Sequence, residues 1–211
     1  MTAWLKTLGY QVNRKRVTRL LRTMGLEAVV PKPRLSIPGE EHPRYPYLLR
    51  GLSIEHSNQV WSTDITYIRL QRGFLYLVAV LNWFSRYVLS WEVSVTLDTS
   101  FCLAALDRAL QVATPEIFTT DQGVQFMSHD FTRRLEAAHI RISRDGRGRA
   151  FDTIFVERLW RMVKYGEVYI KDYDSVATAM RNLKDYFVFY NQQRLHQSLG
   201  YKTPAQVYAG K

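Results

Sequence analysis

Three acids in this 211-residue chain, Asp64, Asp121 and Glu157, stand in settings where a carboxylate is either costly or placed for chemistry. Asp64 lies within Trp61-Ser-Thr-Asp-Ile-Thr-Tyr-Ile68, a run of β-branched and aromatic residues that reads as the middle of a strand. An ionised carboxylate there must be solvated, paired or metal-bound, because isolated burial costs several kcal/mol. Asp121 stands where the short apolar run Pro115–Thr120 ends, and sites in open α/β sheets gather beyond the carboxyl ends of strands. Glu157 reads as helical, with Arg161 and Lys164 at i+4 and i+7 on the same side. Each acid alone also has a structural reading: a hydrogen-bonded strand Asp, an Asp-Gln-Gly turn, and a surface ion pair. Taken together they form a set of three hard oxygen ligands, suited to Mg²⁺ or to Mn²⁺ as its substitute. Two such ions roughly 3.5–4 Å apart activate an attacking oxygen and stabilise a leaving one in phosphoryl transfer. Lys164 and the basic loop residues Arg147 and Arg149 would then hold DNA phosphates beside that centre.

For the three to meet, a scaffold must carry a central-strand Asp, a strand-end Asp and a helical Glu to one edge of a sheet. The pattern supplies one. Val60–Leu70, Phe74–Asn82 and Tyr87–Val95 read as strands, the first two joined by the turn Gln71-Arg72-Gly73. Thr99–Val112 has helical periodicity, Pro115–Thr120 is a fourth strand, Ser128–Ala138 a helix and His139–Ser143 a fifth strand. A Gly/Arg-rich loop then leads into a helix from about Asp152 to Gly166, and Asp174–Asn191 forms another, with a last turn capped at Thr203-Pro204. The expected class is α/β: a mixed five-stranded sheet with flanking helices. The 35 residues between Asp121 and Glu157 leave room for helix, strand and loop.

The charge points to the partner. Lys and Arg outnumber Asp and Glu by 29 to 19, for a net charge of +10, which favours a polyanion. Residues 1–35 alone hold eight basic side chains against one acidic one. Within them a helix from Met1 to Leu8 stops at Gly9, and Asn13 caps a second helix, Arg14 to Met24. That helix carries Val17, Leu20, Leu21 and Met24 on one stripe and Lys15, Arg19 and Arg22 on another, with Arg16 beside them. Helix, turn, basic helix is a helix-turn-helix pattern, with a solvated basic face as the plainer reading. Residues 31–56 are rich in proline and read as an extended, unpacked linker. The expected division is therefore residues 1–30 helix-turn-helix region, 31–56 linker, 57–170 catalytic core and 171–211 C-terminal helical extension. The lone cysteine, Cys102, lies in an apolar helical run and reads as a core thiol. No apolar run reaches the length of a membrane span or a signal peptide, so a soluble cytoplasmic protein is expected.

The residues around the three acids carry a family resemblance. Gln59-Val-Trp-Ser-Thr-Asp64-Ile-Thr-Tyr-Ile, Thr120-Asp121-Gln-Gly-Val-Gln-Phe126 and Phe155-Val-Glu157-Arg-Leu-Trp-Arg-Met-Val-Lys164-Tyr resemble the catalytic segments of the insertion-sequence-three family of bacterial transposases. Gly9-Tyr-Gln-Val-Asn-Arg-Lys-Arg-Val17 and Tyr190-Asn-Gln-Gln-Arg194-Leu-His196-Gln-Ser-Leu-Gly-Tyr201-Lys-Thr-Pro204 resemble its two ends. The resemblance implies a ribonuclease H-like, retroviral-integrase-type core in which Asp64, Asp121 and Glu157 hold the metals and Lys164 touches DNA at the element end. It implies Mg-dependent strand cleavage by water and strand transfer by a freed 3′-hydroxyl, without ATP or a covalent protein–DNA intermediate. DNA ends and target are the implied partners, with a homo-oligomer on DNA, the upstream-frame protein of the same element, and association with a bacterial nucleoid. The chain departs from the family at Asp152-Thr153, where relatives have Asp-Asn. Its first residues read as the second half of a helical region, so a short form lacking upstream DNA-binding segments is expected. A non-catalytic DNA-binding remnant or regulator is the alternative, and a ribonuclease H-like nuclease without joining activity a third.

Overall fold

Side chains alternate across a strand, so a sheet covered on both faces needs apolar residues at consecutive positions. Phe74–Asn82 meets that demand. In the computed structural model, which describes residues 2–24, 45–121, 123–144 and 154–210, it is the second strand of a five-stranded sheet. The strands are β1 (Val60–Arg69), β2 (Phe74–Asn82), β3 (Val88–Ser94), β4 (Ile117–Thr120) and β5 (Arg141–Arg144), in the spatial order β3-β2-β1-β4-β5. β1, β2 and β3 pair antiparallel, whereas β1 with β4 and β4 with β5 pair parallel. The sheet is the mixed one expected from the pattern.

Leu75, Leu77, Ala79 and Leu81 point to one face and Val78 and Val80 to the other. The second face packs on α3 (Ser100–Val112) and α5 (His129–Ala137), around Phe101, Leu106, Phe118, Phe131 and the buried Cys102. The first packs on α6 (Ile154–Val163) and α8 (Val176–Gln192) through Leu159, Val163, Leu183 and Phe187. Between the latter two, the helix of α6 runs on through a π-turn, Lys164–Val168, into α7 (Tyr169–Lys171). It was expected to stop at Gly166. Instead that glycine allows a close approach: a Cβ there would lie 3.3 Å from the Tyr186 hydroxyl. The short helix α4 (Val124–Met127) has no counterpart in the sequence reading, and α9 (Pro204–Tyr208) begins in a capping box between Thr203 and Gln206.

One expectation is corrected. The part of the proline-rich segment that is described, residues 45–58, has neither helix nor strand, yet it is packed. Leu49 is buried in a cluster with Val60, Trp83 and Ile117, and the Tyr45 hydroxyl donates to Glu136 at 2.5 Å. Pro46 cannot donate to a ladder, but the apolar residues that follow it still bury surface.

By contacts the chain divides into two compact units, Met1–His42 and Pro43–Lys211. In the first, α1 (Thr2–Thr7) and α2 (Arg14–Thr23) form the helical pair, and Asn13 Oδ1 accepts from the Arg16 amide at 3.0 Å as the expected cap. Val17 is buried on the inner side of α2, whereas Leu20 and Met24, expected on the same apolar stripe, are exposed.

Candidate active site

The register of β1 on β4 brings two of the acids together. Thr63 stands opposite Thr120 in the parallel ladder, and Asp64 and Asp121 each follow that pair by one residue. Parallel strands lie about 4.8 Å apart, so the two backbones present these acids side by side. Asp64 points to the face covered by α6: it is opposite Ala79, whose side chain lies in that core. Asp121 turns its Oδ1 onto the Gly123 amide at 2.9 Å. A Cβ on Gly123 would meet that same oxygen at 2.9 Å, so only glycine allows this approach.

The third acid comes from the helix above. α6 lies against β1, and Trp160 donates its indole N–H to Asp64 Oδ2 at 2.9 Å. Glu157 precedes Trp160 by three residues, on the exposed side of the first turn, where the helix dipole favours an anion. The electrostatics register the proximity. The Asp64 carboxyl is pushed up from 3.8 to about 6, chiefly by burial, against the Trp160 hydrogen bond and with added repulsion from Asp121 and Glu157. Burial also raises Asp121, opposed by the Gly123 hydrogen bond. Among the described residues no three ligand-type side chains are already gathered tightly enough to hold one ion. The donor set nevertheless fits a hard divalent cation: oxygen-only, and destabilised by its own like charges.

Sequence comparisons match residues 54–150 and, separately, residues 138–204 to integrase core domain families, and residues 1–34 to an HTH-like domain. InsF, the transposase for insertion sequence IS3A of Escherichia coli strain K12, is 31% identical over 216 residues, covering 98% of this chain and 74% of that one. The chain belongs to the IS3-family transposases. The transposase of element IS629 from Shigella sonnei is 29% identical over 94% of this chain and 68% of its own length. Among solved structures, the magnesium-bound catalytic core of HTLV-2 integrase overlaps 72% of this chain and 97% of that core with a TM-score of 0.59 at 20% identity. A chain of the simian T-cell lymphotropic virus intasome, solved in complex with PP2A regulatory subunit B56 gamma, overlaps 82% of this chain and 60% of its own length with a TM-score of 0.65 at 19% identity. These identities speak for the ribonuclease H-like fold alone. Family membership makes the chain an enzyme of the polynucleotidyl transferase class.

The expected DNA contacts of this transposase fall in different places. Arg161 is exposed one turn beyond Glu157, 6.0 Å from the Tyr165 ring, and Lys164 opens the π-turn. π-turns inside helices are frequent at functional sites. Arg147, Arg149 and Thr153 lie outside the described residues. Lys15, Arg16 and Arg19 are exposed on α2, where Arg14, Lys15, Thr18 and Arg19 line a cleft of about 470 Å³, and Arg22 belongs to the same helix. No described helix is long and apolar enough to cross a membrane.

Two residues escaped the sequence reading. Trp160 is the donor that fixes Asp64, and only its spacing of three from Glu157 hinted at it. Asn191 of α8 clasps the buried edge of β3, accepting from the Val88 amide at 3.0 Å and donating to the Val88 carbonyl at 2.9 Å. His196 packs edge-on to Tyr190 and is depressed to about 4 by burial and by Arg194 and Arg86, so it stands as a neutral core group.

Proposed function

We propose that this transposase cleaves and joins DNA strands through Asp64, Asp121 and Glu157, with Mg²⁺ as its cofactor and Mn²⁺ as substitute. The observation that supports the reading is the register: the ladder ending at Thr63 and Thr120 leaves the two aspartates at adjacent strand positions, and α6, which carries Glu157, reaches Asp64 through Trp160. When bound, a divalent cation supplies Lewis-acid activation of the attacking oxygen and neutralises charge developing on the phosphoryl group. The chain's own residues do the rest. Trp160 holds Asp64 in one rotamer, the Gly123 amide holds Asp121, and the first turn of α6 carries Glu157 to the edge of the sheet. Arg161 and Lys164, with Arg147 and Arg149, meet the phosphates flanking the scissile bond, and Lys15, Arg16, Arg19 and Arg22 meet a separate stretch of duplex. The 3′-hydroxyl released by cleavage then serves as nucleophile for joining. Gripping two DNA ends at once favours a homo-oligomer on the DNA, with the upstream-frame protein of the element as a further partner. This work belongs in the cytoplasm, at the nucleoid.

A strand-transfer assay with labelled element ends tests the proposal. Joined products that require Mg²⁺ and disappear in Asp64→Ala, Asp121→Ala and Glu157→Ala are expected. A wild-type chain that binds the ends but neither nicks nor joins them would instead establish the DNA-binding regulator. The departure at Thr153 favours that second reading, and Thr153→Asn restoring activity would locate the cause.

A further inference from the structure

Beside the triad, on the far side of the first turn of α6, lies a cleft of about 410 Å³ that the strand-transfer chemistry leaves unused. Its walls are the segment after β2 (Trp83, Phe84, Arg86), Phe155 of α6, and the loop at Ser198, Leu199 and Lys202. That loop is closed on itself by the His196 amide donating to the Lys202 carbonyl at 3.1 Å. Phe155 stands two residues from Glu157, about 200° around the helix, so one turn serves both places.

Three features of the cleft call for a ligand. The Arg86 guanidinium lies 3.4 Å from the centre of the Phe155 ring, and Arg86 forms no ion pair among the described residues. Burial works most strongly against its charge, Tyr190 offsets part of that, and the neighbouring cation Arg158 adds to it. Trp83 is 6% exposed, stacks edge-on with Phe155 at 5.0 Å, and its indole N–H has no acceptor among the described residues. A half-buried cation without a counter-ion and a buried donor without an acceptor are both costly. Arg86 also holds a left-handed backbone (φ +61°), a conformation rare for a long side chain and frequent at functional positions.

We propose that this cleft receives one unpaired nucleotide of the DNA strand being processed. Its phosphate pairs with Arg86, its base lies among Trp83, Phe84 and Phe155, and a base-edge acceptor takes the Trp83 N–H. The volume is of the size that holds a single small ligand. Aromatic walls with an arginine suit any base, since stacking is tolerant of sequence. The cleft thereby favours a frayed or tailed DNA end over a fully paired one, and so helps expose a strand next to Glu157. This inference rests on the proposed DNA substrate, but not on metal or on joining.

The test is binding of the full chain, without metal, to a blunt duplex and to the same duplex with a short single-stranded 3′ tail carrying a fluorescent aminopurine. The expected result is a preference for the tailed probe of roughly tenfold, with quenching of the tail base. Trp83→Phe, Arg86→Asn (asparagine tolerates the backbone) and Ser198→Trp, which fills the cleft from an exposed wall position, should each abolish preference and quenching while sparing blunt-duplex affinity. A wild type indifferent to the tail, or variants that retain the preference, would overturn the cleft and leave the triad reading standing. Equal weakening of both probes by Arg86→Asn would reduce Arg86 to a general phosphate contact and likewise overturn it. Failure to bind either DNA would sink both readings.

Discussion

At the scale of single residues, the centre is defined less by its acids than by what holds them. Asp64 keeps two opposing influences in balance: burial and its acidic neighbours lift its pKa to about 6, and the Trp160 N–H restrains it. Removing that donor with Trp160→Phe keeps the ring and its packing. It should shift the acid limb of the metal-dependent pH–rate profile alkaline by about one unit, since a hydrogen bond to a charged group contributes roughly 1.5–3 kcal/mol. An unchanged profile would show that Trp160 serves packing only. Gly123 makes a steric prediction instead. In Gly123→Ala the new methyl carbon and Asp121 Oδ1 cannot both stay where they are. Strand cleavage should fall by about tenfold or more, as misplacing a reacting group commonly costs. The melting temperature should hardly move, because the site of substitution is a loop. A variant with full activity would mean that Asp121 works from another rotamer. The sequence carried the acids plainly, through their neighbours. It carried Trp160 only as one apolar residue among several, because a side chain's role as donor depends on which strand the helix lands on.

Elements were legible where they impose a period, and less so where the chain is irregular. Every strand of the sheet was foreseen, since apolar alternation and β-branched runs are written locally. The packed run at 45–58 was not, because proline and glycine signal the absence of pairing without saying whether the intervening Leu49 finds a pocket. The extension of α6 past Gly166 escaped for a related reason: a helical glycine reads as a stop unless one knows that Tyr186 lies against it. Asn191 is the sharpest case. In sequence it belongs to a polar tail motif, whereas in the fold it pairs with both main-chain groups of Val88 and fastens α8 to β3. Asn191→Leu would keep bulk but strand a buried N–H and C=O. Each such group costs about 1–3 kcal/mol, so a loss of roughly 2–5 kcal/mol in chemical denaturation is expected. A loss below about 1 kcal/mol would mean that water reaches Val88 once the amide is gone.

For the molecule as a whole, the same carboxylates that would bind metal are a liability to the fold while metal is absent. The sign follows from proton counting. Asp64 titrates near 6 in the native state and near its ordinary 3.8 when unfolded, so between those values the native chain holds more protons. Its contribution therefore weakens stability as pH rises through that window, and the loss is complete above about 6. Burial of Asp121 acts in the same direction. A divalent cation binds the deprotonated carboxylates and should reverse the effect, but only where they have lost their protons. Thermal melts across pH 4.5 to 7.5 should thus show Mg²⁺ raising the melting temperature at the alkaline end and hardly at all at the acid end. Asp64→Asn isolates the group from every other titration in the chain. It should melt higher than wild type at pH 7.5 without metal, match it more closely near pH 4.5, and lose the response to Mg²⁺. An equal Mg²⁺ shift at both ends of the range, or one that survives in Asp64→Asn, would place the ion elsewhere and detach the metal from the register that aligns Asp64 with Asp121. Such a trade of apo stability for a charged, partly buried centre is what a fold built around metal-assisted strand chemistry would carry, and a DNA-binding relic relieved of catalysis has no physical reason to keep it.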